Sequence, residues 1–313
     1  MINACAPLVL FLYNRPSHTE TTLKNLAAAK DAINSDLFIF CDGPKTEASK
    51  KDLENIRSVR NIAAGQKGFK SVTIKYSEVN RGLGKSIIDG VTEVINRYGK
   101  CIVLEDDHLV HKDFIRYMNY YLSFYEVEKK VMHISAFARN SYLQFSLPSV
   151  FLSRYMDCWG WGTWSDRWSL LDLNLENVDS YLENEKNLSR FNFSKLDYHT
   201  YFNQNRDKLK TWAIFWYYTV AKNNGLCLMS KFSYVKNIGN EGSGTNEVVK
   251  VPELASNFIS KFKPHRPKLK ETVLSELYIQ DAYAKRSKKR FNRPKRWLHD
   301  LLSSIRNRII GSI

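Results

Sequence analysis

Apolar runs of strand length alternate with helix-patterned segments over residues 8–125, and this alternation constrains the fold more than any single motif. Residues 8–13 (LVLFLY) are continuously apolar and stop at Asn14-Arg15-Pro16. Residues 36–41 (DLFIFC) repeat the pattern and stop at Asp42-Gly43-Pro44; residues 71–76 (SVTIKY) and 101–104 (CIVL) follow, the last running straight into Glu105-Asp106-Asp107. Between them, residues 19–32, 48–64 and 83–98 place apolar side chains at helical spacing, as do residues 113–125 beyond the triplet; 131–135 reads as a fifth strand. A strand that is apolar on both of its alternating sides belongs in a sheet covered on both faces. The expected fold is therefore α/β, an α/β/α sandwich with a mainly parallel central sheet. The length of 313 residues suits one large domain or two modest ones.

In open α/β sheets, ligands bind beyond the carboxyl ends of the strands. Three polar turns sit at those ends: Asn14-Arg15, Asp42-Gly43 and Glu105-Asp106-Asp107. Adjacent carboxylates repel, and a hard divalent cation relieves this by taking one or two of them and completing its shell with water and phosphate oxygens. Such a cation neutralises a departing diphosphate. The plain alternative is a solvated acidic turn or a helix cap.

The second half is less regular. Residues 158–168 (CWGWGTWSDRW) hold four of the seven tryptophans; a polar stretch follows to about residue 210; residues 211–223 read as a buried helix capped by Asn224-Gly225; residues 226–238 read as a strand or hairpin; and 239–246 (GNEGSGTN) form a Gly-rich loop. Indoles stack on the C–H faces of sugars, so Trp159 and Trp161 are candidate acceptor-binding residues, with Gly160 and Gly162 allowing close backbone approach. The other reading is a hydrophobic plug closing the sheet.

The segment IVLEDDHLVHKDF (102–114) resembles the strand, acidic triplet and helix of N-acetylglucosaminyltransferase I and related GT-A glycosyltransferases. LVLFLYNRP (8–16) and FIFCDGP (38–44) are similar to their first two strands. The WGWGTW run (159–164), the WAIFW helix (212–216) and the NIGNEGSG loop (237–244) are similar to segments of bacterial family 2-like sugar transferases of surface-polysaccharide clusters. The resemblance spans about residues 7–246. It divides the chain into a GT-A domain at 1–250, with a nucleotide-binding half (1–130) and an acceptor-binding half (131–250), and a basic helical extension at 251–313.

That resemblance implies transfer of a sugar, most simply from a UDP-sugar, to a glycan or lipid-linked acceptor, assisted by Mn²⁺ or Mg²⁺. Asp107 would bind the metal, Asp106 the metal's water shell or the ribose, and Glu105 the donor sugar. Asp42 would accept from the base, Arg15 would lie near the phosphates or base, and Arg81 would contact phosphate or else be a surface arginine opening a helix. An inverting reaction needs a carboxylate near the acceptor hydroxyl. Relatives place an acid in the helix where Ala213 and Ile214 stand here, so Glu241, Asp157 and Asp166 are the candidates, Glu241 first. Relatives often end the Gly-rich loop with His, where this chain has Asn246. His108 reads as pointing along the outgoing loop, and His133 as a satisfied core residue.

Five cysteines without CxxC spacing read as reduced thiols of a cytosolic protein, and no signal peptide or spanning segment is apparent. Residues 285–313 carry ten basic residues against one acid, a local +9 of the total +15. Within them, Trp297, Leu298, Leu301, Leu302, Ile305 and Ile309 share one helical face. A basic cluster followed by an apolar stripe is the pattern of an amphipathic helix lying on anionic lipid, which places the chain at the inner face of the cell membrane. A solubilising tail is the alternative. A nucleic-acid binder fits less well, because the charge is terminal and the aromatics are not interleaved with Arg and Lys. A nucleotidyltransferase would carry a Gly-rich basic loop after residues 8–13, which is absent. A non-catalytic homologue remains compatible with Ala213 and Asn246.

Overall fold

The structure, a computed structural model, describes residues 5–141, 143–175, 177–192, 197–206, 211–239 and 262–284. The first half follows the expected alternation: β1 (Leu8–Leu12), α1 (Pro16–Ala27), β2 (Asp36–Cys41), α2 (Lys50–Ala64), β3 (Ser71–Tyr76), α3 (Leu83–Tyr98) and β4 (Lys100–Glu105). Helix α1 starts and ends earlier than the apolar spacing suggested. Pro16 opens it, at a position where the missing N–H has no helical partner to lose. After Ala27 the chain turns through a short 3₁₀ segment, Ala32–Asn34, entered by Asp31 at φ 70°. Helix α2 begins with a capping box in which Ser49 and Asp52 satisfy each other's backbone N–H.

The remaining elements are β5 (His108–Val110), α4 (Phe114–Phe124), β6 (Val131–Ser135), β7 (Val150–Ser153), β8 (Trp161–Trp164), α5 (Ser165–Trp168), α6 (Val178–Glu183), α7 (Glu185–Phe191), α8 (Tyr198–Asn205), α9 (Ala213–Lys222), β9 (Leu226–Ser230), β10 (Val235–Asn237) and α10 (Val273–Ala284). The main sheet has the order β3-β2-β1-β4-β8-β6-β9-β7. Six of its eight strands run in one direction; β8 and β7 run against them.

Both faces of the sheet are covered, as continuous apolar strands require. Leu8, Leu10 and Leu12 of β1 pack with Leu23, Leu26 and Val59 of α1 and α2 and with Phe114 and Met118 of α4. Val9 and Phe11 point the other way, onto Ile87, Val91 and Ile95 of α3. Burying each such side chain stabilises the fold by roughly 1.5–3 kcal/mol. The molecule is thus the α/β/α sandwich with a mainly parallel central sheet that the GT-A resemblance implies.

One strand is added and two expectations are corrected. The Trp-rich run forms β8, a central antiparallel strand between β4 and β6. Of the strand or hairpin read at 226–238, the strand is present as β9 in the main sheet, whereas β10 does not fold back on it but pairs with β5 in a separate antiparallel ribbon. The boundary at residue 250 does not hold either. Phe262 packs edge-on to Tyr117 and Tyr120, Tyr278 and Ile279 of α10 are fully buried, and the Tyr278 hydroxyl donates to the Arg139 carbonyl. Residues 262–284 therefore belong to the core of the domain. Among the described residues, no helix is long and apolar enough to cross a membrane. The basic amphipathic segment at 285–313 lies outside the described residues.

Candidate active site at the carboxyl ends of the strands

Strand register brings the three polar turns together. Leu12 is level with Cys41, and Phe11 with Glu105, so the chain leaves β1, β2 and β4 at one height. Neighbouring strands are about 4.8 Å apart, which puts the Asp42 turn roughly 10 Å from the acidic triplet, with the Asn14-Arg15 turn between. Asn14 fixes its turn to α2 by donating to Asp52 at 3.0 Å. Thr22 of α1 donates to the Asp106 carbonyl at 2.8 Å, holding the triplet's backbone from below.

Arg15 is the hub. Its Nε donates to Asp106 Oδ2 at 3.2 Å, and its Nη2 bonds both Asp106 Oδ1 and Asp107 Oδ2, the latter at 3.1 Å. The Arg15 side chain is 19% exposed and that of Asp106 only 6%. Its third nitrogen, Nη1, is buried with no partner. Two carboxyl groups thus share one guanidinium, with Glu105 next to them in the chain. Burial, then the charges of Asp107 and Asp106, push Glu105 up to about 8. Burial also raises Asp106, to about 6, with Arg15 opposing and Asp107 adding. Burial thus favours the protonated form of Glu105, while Arg15 is shared by Asp106 and Asp107.

His108, expected to follow the outgoing loop, instead turns into the site and is buried. Burial pushes its proton affinity below the ordinary histidine range, against the pull of Asp107 and Asp157. Its Nδ1 accepts the Glu105 N–H at 3.1 Å, so the neutral ring carries its proton on Nε2. That Nε2 lies 3.5 Å from Asp107 Oδ1, and both atoms are buried without a hydrogen-bond partner. The ribbon formed by β5 and β10 closes over this point. His108 is paired with Asn237, and the Ile238 N–H donates to the Asp107 carbonyl at 2.9 Å. Gly239 has no room for a side chain: a Cβ there would stand 2.2 Å from Asp107 Oδ2 and 2.9 Å from Arg15 Nη1. The glycine of the NIG segment is thus required by the acidic pair itself.

Asp42 is brought to the same rim, with its carboxylate fully engaged. Oδ1 accepts from the Gly43 and Arg81 N–H groups, and Oδ2 from the Gly82 N–H and the Asn80 side-chain amide, at 2.8–3.0 Å. A carboxylate offers about four acceptor directions, and all are used here. Asp42 therefore fastens the 80–82 turn that opens α3, where Gly82 is at φ 77°. The expected acceptance from a base is not available in this arrangement. Arg81 contributes its backbone; its guanidinium pairs with Asp89 on the surface. A crevice of about 480 Å³ lies alongside, between the ends of β2 and β3 and helix α3, lined by Asp42, Tyr76, Val79, Arg81 and Asp89 among others.

The tryptophans divide. Trp159 is partly exposed beside the triplet, with its ring 6.4 Å from that of His108, 4.5 Å from Phe137 and under the Arg139 guanidinium. Trp161 is 1% exposed, stacked between His133 and Trp212 at ring separations of 5.4 and 4.6 Å. It is a core residue, and its proposed acceptor role does not survive. The flanking glycines face protein: a Cβ on Gly160 would meet Val235 at 2.4 Å, and one on Gly162 the Cys101 carbonyl at 2.9 Å.

The candidate bases also separate. Asp157 is buried behind Trp159. Its Oδ2 accepts from Arg139 at 2.7 Å and from the Tyr155 hydroxyl at 3.2 Å, and its Oδ1 from the Trp159 N–H. It shapes the wall of the cleft. Asp166 lies at the opposite end of the sheet, because β8 runs against β4 and pairs Trp164 with Lys100. There it forms ion pairs with Lys129 and Arg167. It is too far from the triplet to take a proton there. Glu241 and Asn246 lie outside the described residues.

Mg²⁺ and Mn²⁺ accept a single carboxylate oxygen with waters and phosphate oxygens for the rest. Asp107 Oδ1, buried and unpartnered, fits that donor role. Asp106, expected at the metal's water shell or the ribose, has both oxygens committed to Arg15. His108 holds its proton towards Asp107 and so is not a ligand. Among the described residues, no group of three or more His, Cys, Asp or Glu forms a cation cage. Among the described residues, Asp107 is the acidic side chain of the triplet with an oxygen not committed to Arg15.

No protein-family model matches the chain, and no curated protein matches it. Among solved structures it is similar to residues 1–349 of S. aureus TarS, at 12% identity over 73% of this chain and 59% of that one, with a TM-score of 0.41. It is also similar to mannosyltransferase PcManGT from Pyrobaculum calidifontis in complex with GDP-Man and Mn²⁺, at 9% identity over 71% and 74% of the two chains, TM-score 0.40. A third likeness is to glucosyl-3-phosphoglycerate synthase from Mycobacterium tuberculosis, at 10% identity over 61% and 67%, TM-score 0.32. Against a longer form of TarS the chain spans only 21% of that protein's length. These relationships are too distant to transfer residues or substrates, so the site is read from its own geometry.

Proposed function

We propose that this chain is a glycosyltransferase that takes a sugar from a nucleoside-diphosphate donor lying across the carboxyl ends of β1, β2 and β4. The observation that carries the reading is the pairing of two unspent, buried polar atoms on residues that bond each other at the carboxyl ends of β1 and β4: the acceptor Asp107 Oδ1 and the donor Arg15 Nη1. A buried polar atom without a partner is costly. A diphosphate with its counter-cation supplies a partner for each.

In this reading the chain's own groups act as follows. Arg15 directs Nη1 at a phosphate oxygen. His108 packs against Asp107, with Nε2 3.5 Å from Oδ1. Glu105, protonated near neutral pH, is able to donate to a donor-sugar hydroxyl. Trp159 offers a partly exposed aromatic ring for a sugar to pack against. A divalent cation, Mn²⁺ or Mg²⁺, held at Asp107, would supply charge neutralisation for the leaving diphosphate. Glu241 keeps the role of candidate base, because Asp157 is engaged in the cleft wall and Asp166 is remote. The base of the nucleotide is assigned to the crevice beside Asp42, held by groups other than the saturated Asp42 carboxylate. The acceptor is a glycan or lipid-linked glycan of a bacterial surface polysaccharide. The basic segment at 285–313 would dock the enzyme on anionic lipid at the inner face of the membrane, each Lys or Arg near that surface adding about 1 kcal/mol.

Thermal-shift titration with UDP-, GDP- and CDP-sugars, each with and without Mn²⁺, tests the donor. One nucleotide class is expected to raise the melting temperature, and to do so more strongly with Mn²⁺ present. If none of the three classes stabilises the protein, the reading is lost.

A further inference from the structure

We propose that two aromatic turns at the carboxyl rim of the sheet, carrying Phe145 and Phe232 with Lys231 against both rings, form a lipid-contact surface that turns the cleft towards an anionic bilayer. The proposal deepens the reading above, in which the acceptor is lipid-linked, and rests on it.

Phe145 is 68% exposed, and among the described residues no aromatic side chain is more so. Phe232, half-buried, stands beside it with ring centres 6.2 Å apart. The Lys231 ammonium lies 5.8 and 5.4 Å from the two ring centres and donates to the Phe145 carbonyl at 3.1 Å. The Gln144 side-chain amide donates to the Lys231 carbonyl at 2.7 Å, so the two turns form one unit. Neither turn, 143–149 (LQFSLPS) nor 231–233 (KFS), contains an acidic residue. The unit sits at the active-site end of the sheet. Strand β9 runs parallel to β6, and β6 and β4 both run against β8, so Ser230 and Glu105 end their strands at the same rim. Three strand spacings separate them, roughly 14 Å.

Helix α10 climbs to the same rim. Near its start, Glu276 pairs with Arg154, just past the far end of β7. Near its end, Asp281 accepts from the Ser141 hydroxyl at 2.6 Å, four residues before Phe145. The helix stops three residues later, at Ala284, and the sequence continues as KRSKKRFNRPKR (285–296), with eight basic residues. The exposed rings therefore lie beside the point from which the basic segment departs. Anionic headgroups attract Lys231 and that segment, while the rings enter the boundary between headgroups and acyl chains. A sugar chain also stacks on aromatic rings, but its hydroxyls need acceptors beside the ring, and these turns offer a cation and no carboxylate. One weak anchor holds a protein on a membrane only fleetingly; two joined through the same chain reinforce each other. Two points of attachment also fix orientation, with the carboxyl ends of the strands facing the bilayer that carries the acceptor.

Co-sedimentation of the full chain with phosphatidylcholine vesicles containing phosphatidylserine tests this. Wild type should bind. Phe145→Ser should bind about fivefold more weakly or worse, although residues 285–313 are intact, while its melting temperature and its thermal response to UDP-, GDP- and CDP-sugars stay at wild-type values. Lys231→Glu should weaken binding in the same direction. Phe145→Trp keeps a ring suited to the membrane interface and should bind at least as tightly as wild type, which guards against a serine variant that does not fold. If Phe145→Ser binds the vesicles as wild type does, the lipid assignment is overturned and the rings pass to the other occupant, a sugar chain. If a nucleotide-sugar stabilises wild type but the vesicles do not retain it, the lipid contact falls and the glycosyltransferase reading stands. If wild type responds to neither, both fall.

Discussion

Glu105, Asp106 and Asp107 sit in a row because the fold gives each a different circumstance: a proton, a bidentate guanidinium, and one free oxygen. The row itself was legible in the amino-acid order. The hub was not, because nothing about Arg15 in a chain of letters distinguishes a phosphate-facing side chain from one that binds two carboxylates. His108 was missed for a similar reason: its inward turn depends on β10, which lies more than a hundred residues away. Two pH effects follow, with opposite signs. Glu105 holds its proton up to about pH 8 when folded but only to the ordinary carboxylate range when unfolded. It therefore contributes stability at low pH that is lost as pH rises towards 8, on the order of a few kcal/mol. Glu105→Gln should flatten that loss in urea titrations between pH 5 and 8. His133 behaves in reverse. Its Nε2–H donates to the Asp157 carbonyl while Nδ1 accepts from the Trp216 indole, so a second proton has no place, and burial holds the ring down to about 4. Stability should fall as pH drops from about 6.5 towards 4, by on the order of 3 kcal/mol, and His133→Asn should remove most of that slope.

At the level of elements, β1, β2 and β4 were readable because their apolar runs are continuous and turn residues end them, and β3 because Val72, Ile74 and Tyr76 alternate with polar residues. Strand β8 was not, since a run of tryptophans and glycines has no strand alternation. It is defined by close packing of Gly162 against Cys101, Met118 and Leu122. The three-residue strands β5 and β10 are too short to carry a period at all. This division predicts contrasting phenotypes along one segment. Trp161→Ala removes the ring sandwiched by His133 and Trp212, and should cost about 3–5 kcal/mol of stability in chemical denaturation. Trp159→Ala, at the partly exposed position, should cost less stability and instead weaken sugar binding, read as a higher KM. Gly160→Ala should destabilise as strongly as a core deletion, because its φ of 64° and the Val235 side chain both oppose a Cβ. If Trp159→Ala proves the more destabilising of the two tryptophan variants, the assignment of core and cleft is reversed.

For the whole molecule, the sandwich holds the chemistry at one end of the sheet and extends its core through residues 262–284. A chain cut after residue 284 should accordingly fold and bind nucleotide as wild type does, yet lose sedimentation with vesicles rich in phosphatidylserine; a cut after residue 250 should not fold. The account as a whole depends on Asp107 holding a cation against a diphosphate while a sugar leaves. The most direct measurement is release of nucleoside diphosphate from UDP-, GDP- and CDP-sugars, with Mn²⁺ or with chelator, by wild type and by Asp107→Asn. The account predicts release from one donor class, falling by about a hundredfold or more with chelator and in Asp107→Asn while the melting temperature is maintained. Undiminished release by Asp107→Asn, or no release from any donor by wild type, would contradict it.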